Sequence, residues 1–169
     1  CTTLCVMYYP DGSMRDLYYP KRCPVHTFMN STIIAHSPAE YMWAGIGDSL
    51  AKEFESELAA RNDLADFSIQ HAPLMGVAIA RCCTSAFLHF GEKAMEQIRK
   101  QEDGYELQQV ALAIVITAGM VSNLTVETTH DAYFYNDCLA HCFYYGCTVC
   151  PGAHKHLHGE VVSLGILVL

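Results

Sequence analysis

Apolar residues recur every four positions from Met42 through Ile46, Leu50 and Phe54 to Leu58, directly after Ser37-Pro38. That period matches one face of a helix and not a pleated strand, so the middle of the chain must bury a helical stripe. Ser37 is a candidate N-cap and Pro38 suits a first helical position, which predicts a helix from 38 to about Arg61. Helical signals continue over 68–90, 91–101, 105–123, 130–145 and 158–169, with breaks at Asp103-Gly104, 123–129 and 146–153. Upstream the pattern differs. Residues 4–9 and 14–19 read as strands around the turn signal Pro10-Asp11-Gly12-Ser13, a hairpin, and 25–29 reads as another short strand. The predicted fold class is mainly α: a β-hairpin stub over 1–37, then an all-helical domain over 38–169.

Hydrophobic residues make up 51% and charged residues 17%, enough apolar surface for a packed core, which excludes a disordered chain. The formal net charge of −8, with no basic run, excludes a nucleic-acid surface. The longest apolar stretch, Val110 to Val121, is interrupted by Thr117 and too short to cross a bilayer. It reads as a buried helix, and no membrane span is expected. The nine cysteines are odd in number and include the adjacent Cys82-Cys83, which argues against a disulfide framework. Free thiols imply a reducing, cytoplasmic setting. Cys147-x-x-Cys150 lacks a second pair and reads as a loop. The sequence opens on Cys1 rather than Met and closes inside an apolar run at Leu169, so it is expected to be a piece of a longer protein.

Three segments carry candidate chemistry. In Ala44-Gly45-Ile46-Gly47-Asp48 a carboxylate sits within a long helix, with small residues about one turn before it. Glycine inside a helix costs about 1 kcal/mol relative to alanine. Something must therefore approach this backbone closely, either a ligand or a neighbouring helix at a crossing. His141 lies late in the 130–145 segment, where a lone histidine is ordinarily structural. The run His154-Lys155-His156-Leu157-His158 enters the last helix and reads either as a solvated loop or as metal-binding. Asp48, His141 and His158 together would form a three-ligand site with open positions, which a catalytic metal needs.

Tyr19-Pro20-Lys21, Pro24, Ala44-Gly45-Ile46-Gly47-Asp48, Ala140-His141 and His158-Gly159-Glu160 occur in that order, with the two histidines 17 positions apart. This series resembles the motifs of the iron-containing alcohol dehydrogenase family, in its glycerol dehydrogenase branch. The resemblance implies an α/β nucleotide-binding domain followed by a helical metal-binding domain, with the active site in the cleft between them, an architecture shared with dehydroquinate synthase. Residues 1–37 would then be the end of the first domain and 38–169 an incomplete second one. It further implies a divalent metal, zinc in the glycerol branch and iron in others, held by Asp48, His141 and His158 as the catalytic ligands. Thr2, Leu4 and Tyr8 fall where the family meets the nicotinamide–ribose of NAD. The family's pyrophosphate loop would precede Cys1, so the 169-residue chain alone is expected to be inactive. The implied reaction is NAD-linked oxidation of a polyol or secondary alcohol, of the glycerol-to-dihydroxyacetone type, with the metal activating the hydroxyl and hydride passing to the nicotinamide. The small residues beside Asp48 would give substrate or nicotinamide room near the metal. A small-molecule alcohol as partner and a homo-oligomeric state are expected.

Asn136-Asp137 depart from the family pattern. Asp137 lies one turn before His141 and is read as a surface charge in preference to an acceptor for that imidazole. His154 or His156 would relay a proton. Dehydroquinate synthase and glycerol-1-phosphate dehydrogenase, of the same architecture, rank second, because phosphorylated substrates need cations near the metal and Lys155 alone lies close to the histidines. A non-haem Fe(II) oxygenase shares the two-His-one-carboxylate set, but on strands rather than helices. A truncated, non-catalytic helical module is the reading from a different class, and metal content separates it from the rest.

Overall fold

The computed structural model describes residues 2, 4–128 and 132–168. The ends of two expected segments, residues 130–131 of the 130–145 helix and Leu169, lie outside the described residues, as does Cys1. The hairpin forms as expected. β1 (Cys5–Tyr8) pairs antiparallel with β2 (Met14–Tyr18), and Val6 faces Leu17. The register shifts between Met7 and Tyr8, an irregularity of the bulge type. Gly12 closes the turn at φ 86, and Asp11 Oδ1 accepts from the Ser13 amide at 2.9 Å. The strand expected over 25–29 is absent. Val25 and Phe28 are 82% and 94% exposed, and a strand needs a neighbouring ladder to persist.

Helices take over at α1 (Ser31–Ala35), which the sequence reading missed. Asn30 caps it, accepting from the Ile33 amide at 3.1 Å. Ser37 is not a cap: its hydroxyl donates back to the Ile34 carbonyl, and Pro38 occupies the cap position of α2 (Ala39–Ala59). After the short α3 (Arg61–Ala65) comes α4 (His71–Arg99), one helix of 29 residues where two were expected. Gly91 does not break it, and the helix runs through that position to Arg99. A continuous helical rod then runs through α5 (Tyr105–Leu112), a π-helical turn at Ala113–Thr117 and α6 (Ala118–Thr125). Both α4 and this rod are long and apolar enough to cross a membrane by length and composition, and here they pack on one another and on α2. Val110, Ala111, Ala113 and Val121 are buried, as expected of a core helix.

The expected helix over 130–145 starts late. Val126–Glu127 (β3) and Tyr133–Phe134 (β4) form a two-rung ladder, and α7 covers only Leu139–Cys147. The aromatic run Tyr133-Phe134-Tyr135 suits extended backbone, with Tyr133 and Tyr135 stacked 5.5 Å apart. A 3₁₀ turn (Ala153–Lys155) leads to α8 (His158–Ile166), where Glu160 reaches back to accept from the Leu157 amide at 3.0 Å. Met42, Cys83, Phe87, Met95, Ile98, Leu107 and Val110 form the main core, and Ala51, Ala140 and Val162 a smaller one between α2, α7 and α8. The expected four-residue stripe on α2 is only partly core. Phe54 is 43% exposed, while Ser49, Lys52, Glu55 and Ser56 are buried. α2 is flanked on two sides, by α4 and by α7 and α8, so its buried face is wider than a single stripe and partly polar.

Candidate metal centre

The close approach demanded by the glycines of α2 is made by a helix. A Cβ built at Gly159 would run into the carbonyl oxygen of Ala44, and one at Gly47 would lie 2.6 Å from the Gly159 carbonyl oxygen. α2 and α8 thus cross backbone to backbone, and side chains at these positions would push them apart. Gly45 is filled by Ile114, not by open space. The small residues beside Asp48 therefore serve helix packing rather than room for substrate or nicotinamide.

That crossing sets His158, the first residue of α8, against Asp48 on α2. His158 Nε2 lies 3.1 Å from Asp48 Oδ1, and His141 Nε2, from the first turn of α7, lies 3.3 Å from the same oxygen. One donor atom from each of Asp48, His141 and His158 falls within 4.8 Å of the others. A tetrahedral cation with ligands at about 2.0–2.1 Å holds its donors about 3.3 Å apart, so these separations are those a zinc-sized ion needs. The donor chemistry, one carboxylate and two imidazoles, suits zinc or iron.

Charge around the site is dense. Glu55, fully buried, accepts from His141 Nδ1. Lys52 is buried too, its Nζ 3.1 Å from Asp137 Oδ1 and 3.3 Å from Asn136 Oδ1. Burial disfavours the Asp48 carboxylate, but the hydrogen bonds from His141 and His158 and the charge of Lys52 outweigh it and hold the group well below the usual carboxylate range. Burial likewise works against a charged His141, and the carboxylates of Asp48 and Glu55 overcome it, raising the imidazole to about 9. Burial opposes the Lys52 ammonium, and Asp137 and Asp48 together still leave it raised.

The expectation for Asp137 is corrected. Its side chain is 9% exposed and paired with Lys52, and it lies 3.7 Å from His141 Nδ1. The extended 132–138 segment turns it inward, where a longer helix would have left it on the surface. Lys155 is likewise displaced as the relevant cation: it is exposed, as are His154 and His156, while Lys52 borders the site. Neither Lys52 nor Glu55 was singled out from sequence. The available signal was spacing, because positions 48, 52 and 55 share one face of α2.

A cavity of about 340 Å³ opens beside the three donors, bounded by Thr2 and Leu4 before the hairpin, by Val6 in β1, by Ile114 in the π-helical turn and by Ala118 at the start of α6. Tyr8 does not border it. Its hydroxyl instead accepts from Tyr144 at 3.2 Å, and the Tyr144 ring stands edge-on to His158 with centroids 4.1 Å apart.

No family model matches the chain. Glycerol dehydrogenase of Thermotoga maritima is 29% identical over 167 residues, covering 99% of this chain and 43% of that protein. Hydroxycarboxylate dehydrogenase A of Escherichia coli K12 is 33% identical over 137 residues, covering 80% of this chain and 35% of that protein. The crystal structure of a probable glycerol dehydrogenase from Sinorhizobium meliloti superposes with a TM-score of 0.82 at 26% identity, over 98% of this chain and 44% of that one. The chain thus spans less than half the length of the relatives it matches, and its mainly helical fold with small hairpins matches the corresponding part of the solved structure.

Proposed function

This chain is a homologue of the glycerol dehydrogenases, and from that premise we propose that it is the metal-binding part of an NAD-linked dehydrogenase acting on a polyol or other secondary alcohol. The observation that carries the reading is the convergence of Asp48, His141 and His158, from three helices, with donor atoms within 4.8 Å of one another and both imidazoles at 3.1–3.3 Å from the carboxylate. When bound, zinc or iron would supply Lewis acidity, lowering the pKa of an alcohol hydroxyl. The chain's own residues supply position. Asp48 and the two imidazoles fix where the hydroxyl oxygen lies. Ile114 and Ala118 give the cavity an apolar wall, which would limit water around a bound alcohol. Thr2 and Leu4 form the opposite rim, where the nicotinamide–ribose of NAD would enter.

Lys52 bears on the phosphorylated-substrate rivals. A buried cation beside the metal site is what such substrates require, yet this one is already paired with Asp137 and Asn136. Its charge is spent within the protein, so a neutral alcohol remains the better fit and the rivals stay second.

The test is metal content. The purified chain is expected to hold one equivalent of zinc or iron, and Asp48→Ala to hold none. Stoichiometric metal retained by Asp48→Ala would rule out the ligand assignment. For the whole enzyme, NAD-dependent turnover of glycerol, compared with a hydroxy acid and a phosphorylated alcohol, separates the substrate classes.

A further inference from the structure

Glu55 buries a full carboxylate, which is costly unless every lone pair is used. Here each oxygen has partners. Oε1 accepts from the backbone amides of Cys138 at 2.8 Å and His141 at 3.0 Å, and Oε2 accepts from the His141 ring at Nδ1. The two amides belong to the first turn of α7, whose cap residue Cys138 makes no side-chain cap of its own. A carboxylate from another helix therefore does the capping, and it sits at the end of α7 where negative charge is favoured.

The same group acts on the imidazole. With Nδ1 facing Glu55, the other ring nitrogen, Nε2, faces Asp48 Oδ1 at 3.3 Å, on the side where the cation would lie. Asp48 and Glu55 are seven residues apart on α2, two turns and about 10 Å of rise, so one helix face places a carboxylate on each side of the ring. His158 has no such support, because its Nδ1 is buried without a hydrogen-bond partner among the described residues. Of the two imidazoles, only His141 has a carboxylate acceptor at Nδ1.

We propose that Glu55 is a positioning residue for the metal site: it locks His141 with Nδ1 protonated and Nε2 free to ligate, while capping the helix that carries it. This rests on the reading of Asp48, His141 and His158 as ligands. A carboxylate behind a ligating histidine fixes ring orientation and raises ligand basicity, and losing it costs roughly 10–100-fold in metal affinity.

The discriminating variant is Glu55→Gln, nearly the same shape. An amide has one accepting oxygen. If that oxygen serves the α7 amides, its NH₂ faces Nδ1 and favours the tautomer that blocks Nε2. Zinc affinity of the full chain, measured by competition with a chromophoric chelator, is expected to fall roughly 10–100-fold in Glu55→Gln. The visible spectrum of the cobalt-substituted protein should change with it. A loss of thermal stability with unchanged zinc affinity and cobalt spectrum would mean that Glu55 only caps α7, and would overturn the proposal. If Glu55→Gln does not fold, long-range ¹⁵N–¹H spectra of the zinc-loaded wild-type chain decide instead. Protonated Nδ1 with metal-shifted Nε2 at His141 supports the proposal, and the reverse pattern overturns it. Wild-type protein that takes up no zinc or cobalt would sink the ligand reading itself, a result distinct from equal binding by wild type and variant.

Discussion

Gly159→Ala tests whether the α2–α8 crossing is what assembles the site. The added Cβ would run into the Ala44 carbonyl oxygen and lie 2.6 Å from its carbon, where ordinary contact begins at 3.4 Å, so the gap must open by well over 0.8 Å. The obstacle is backbone, which cannot rotate away as a side chain would. Overpacking of this kind costs about 1–3 kcal/mol, and a contact against backbone belongs at the upper end. Alanine returns at most about 1 kcal/mol in helix propensity, leaving a net loss of about 2 kcal/mol. For a chain of this size that is a fall in Tm of about 4–8 °C. His158 is the neighbouring residue, so a shift of this size carries its Nε2 well away from the 3.1 Å it keeps from Asp48 Oδ1. Metal–ligand distances tolerate only about 0.2 Å, so zinc affinity should fall as well. Gly91→Ala on α4 is the control. Its Cβ would meet nothing within 4 Å, so it should gain up to about 1 kcal/mol from propensity alone. Urea unfolding followed by far-UV circular dichroism reads both variants, with an unchanged m-value showing that stability itself has moved. Gly159→Ala as stable as wild type and with undiminished zinc affinity would refute the crossing argument.

Metal occupancy should stabilise the chain by about 2.7 kcal/mol at a hundredfold excess over Kd, so a chelator should lower Tm in wild type and leave Asp48→Ala unmoved. Lys52→Met strands Asp137 and should cost about 3–5 kcal/mol in urea unfolding, with Asp137→Asn in the same chain recovering most of it. A loss below about 1 kcal/mol would show that the pair is not functionally buried. Burial, with Cys82 beside it, pushes the Cys83 thiol up to about 12. An unfolded thiol titrates near 8.5, so above that pH the unfolded chain sheds a proton that the folded chain keeps. The Cys83 contribution is therefore complete below pH 8.5 and falls by about 1.4 kcal/mol per pH unit toward 12. Cys83→Ala should flatten the stability–pH curve between pH 9 and 10 relative to wild type, and identical slopes would contradict the assignment.

Much of this molecule is written locally. The hairpin follows from alternating strand formers around a turn glycine, and the helical mass from the 3.6-residue period. Local pattern marks Asp48 and the histidine run before the last helix, whereas His141, ordinarily structural by itself, joins them only through the resemblance of the whole motif series. Local pattern reports which face of an element is apolar, not which faces will meet. The contacts that make the site join residues 86 and 110 positions apart, Glu55 with His141 and Asp48 with His158, and no short window contains them. A buried charge also looks like a surface charge in sequence, so nothing local separates Asp137, Lys52 and Glu55 from solvent-facing residues. Only packing decides such cases: α2 lies between two sets of neighbours, the glycine crossing lets α8 come within backbone contact, and the desolvated carboxylates then have to find partners in one another's elements.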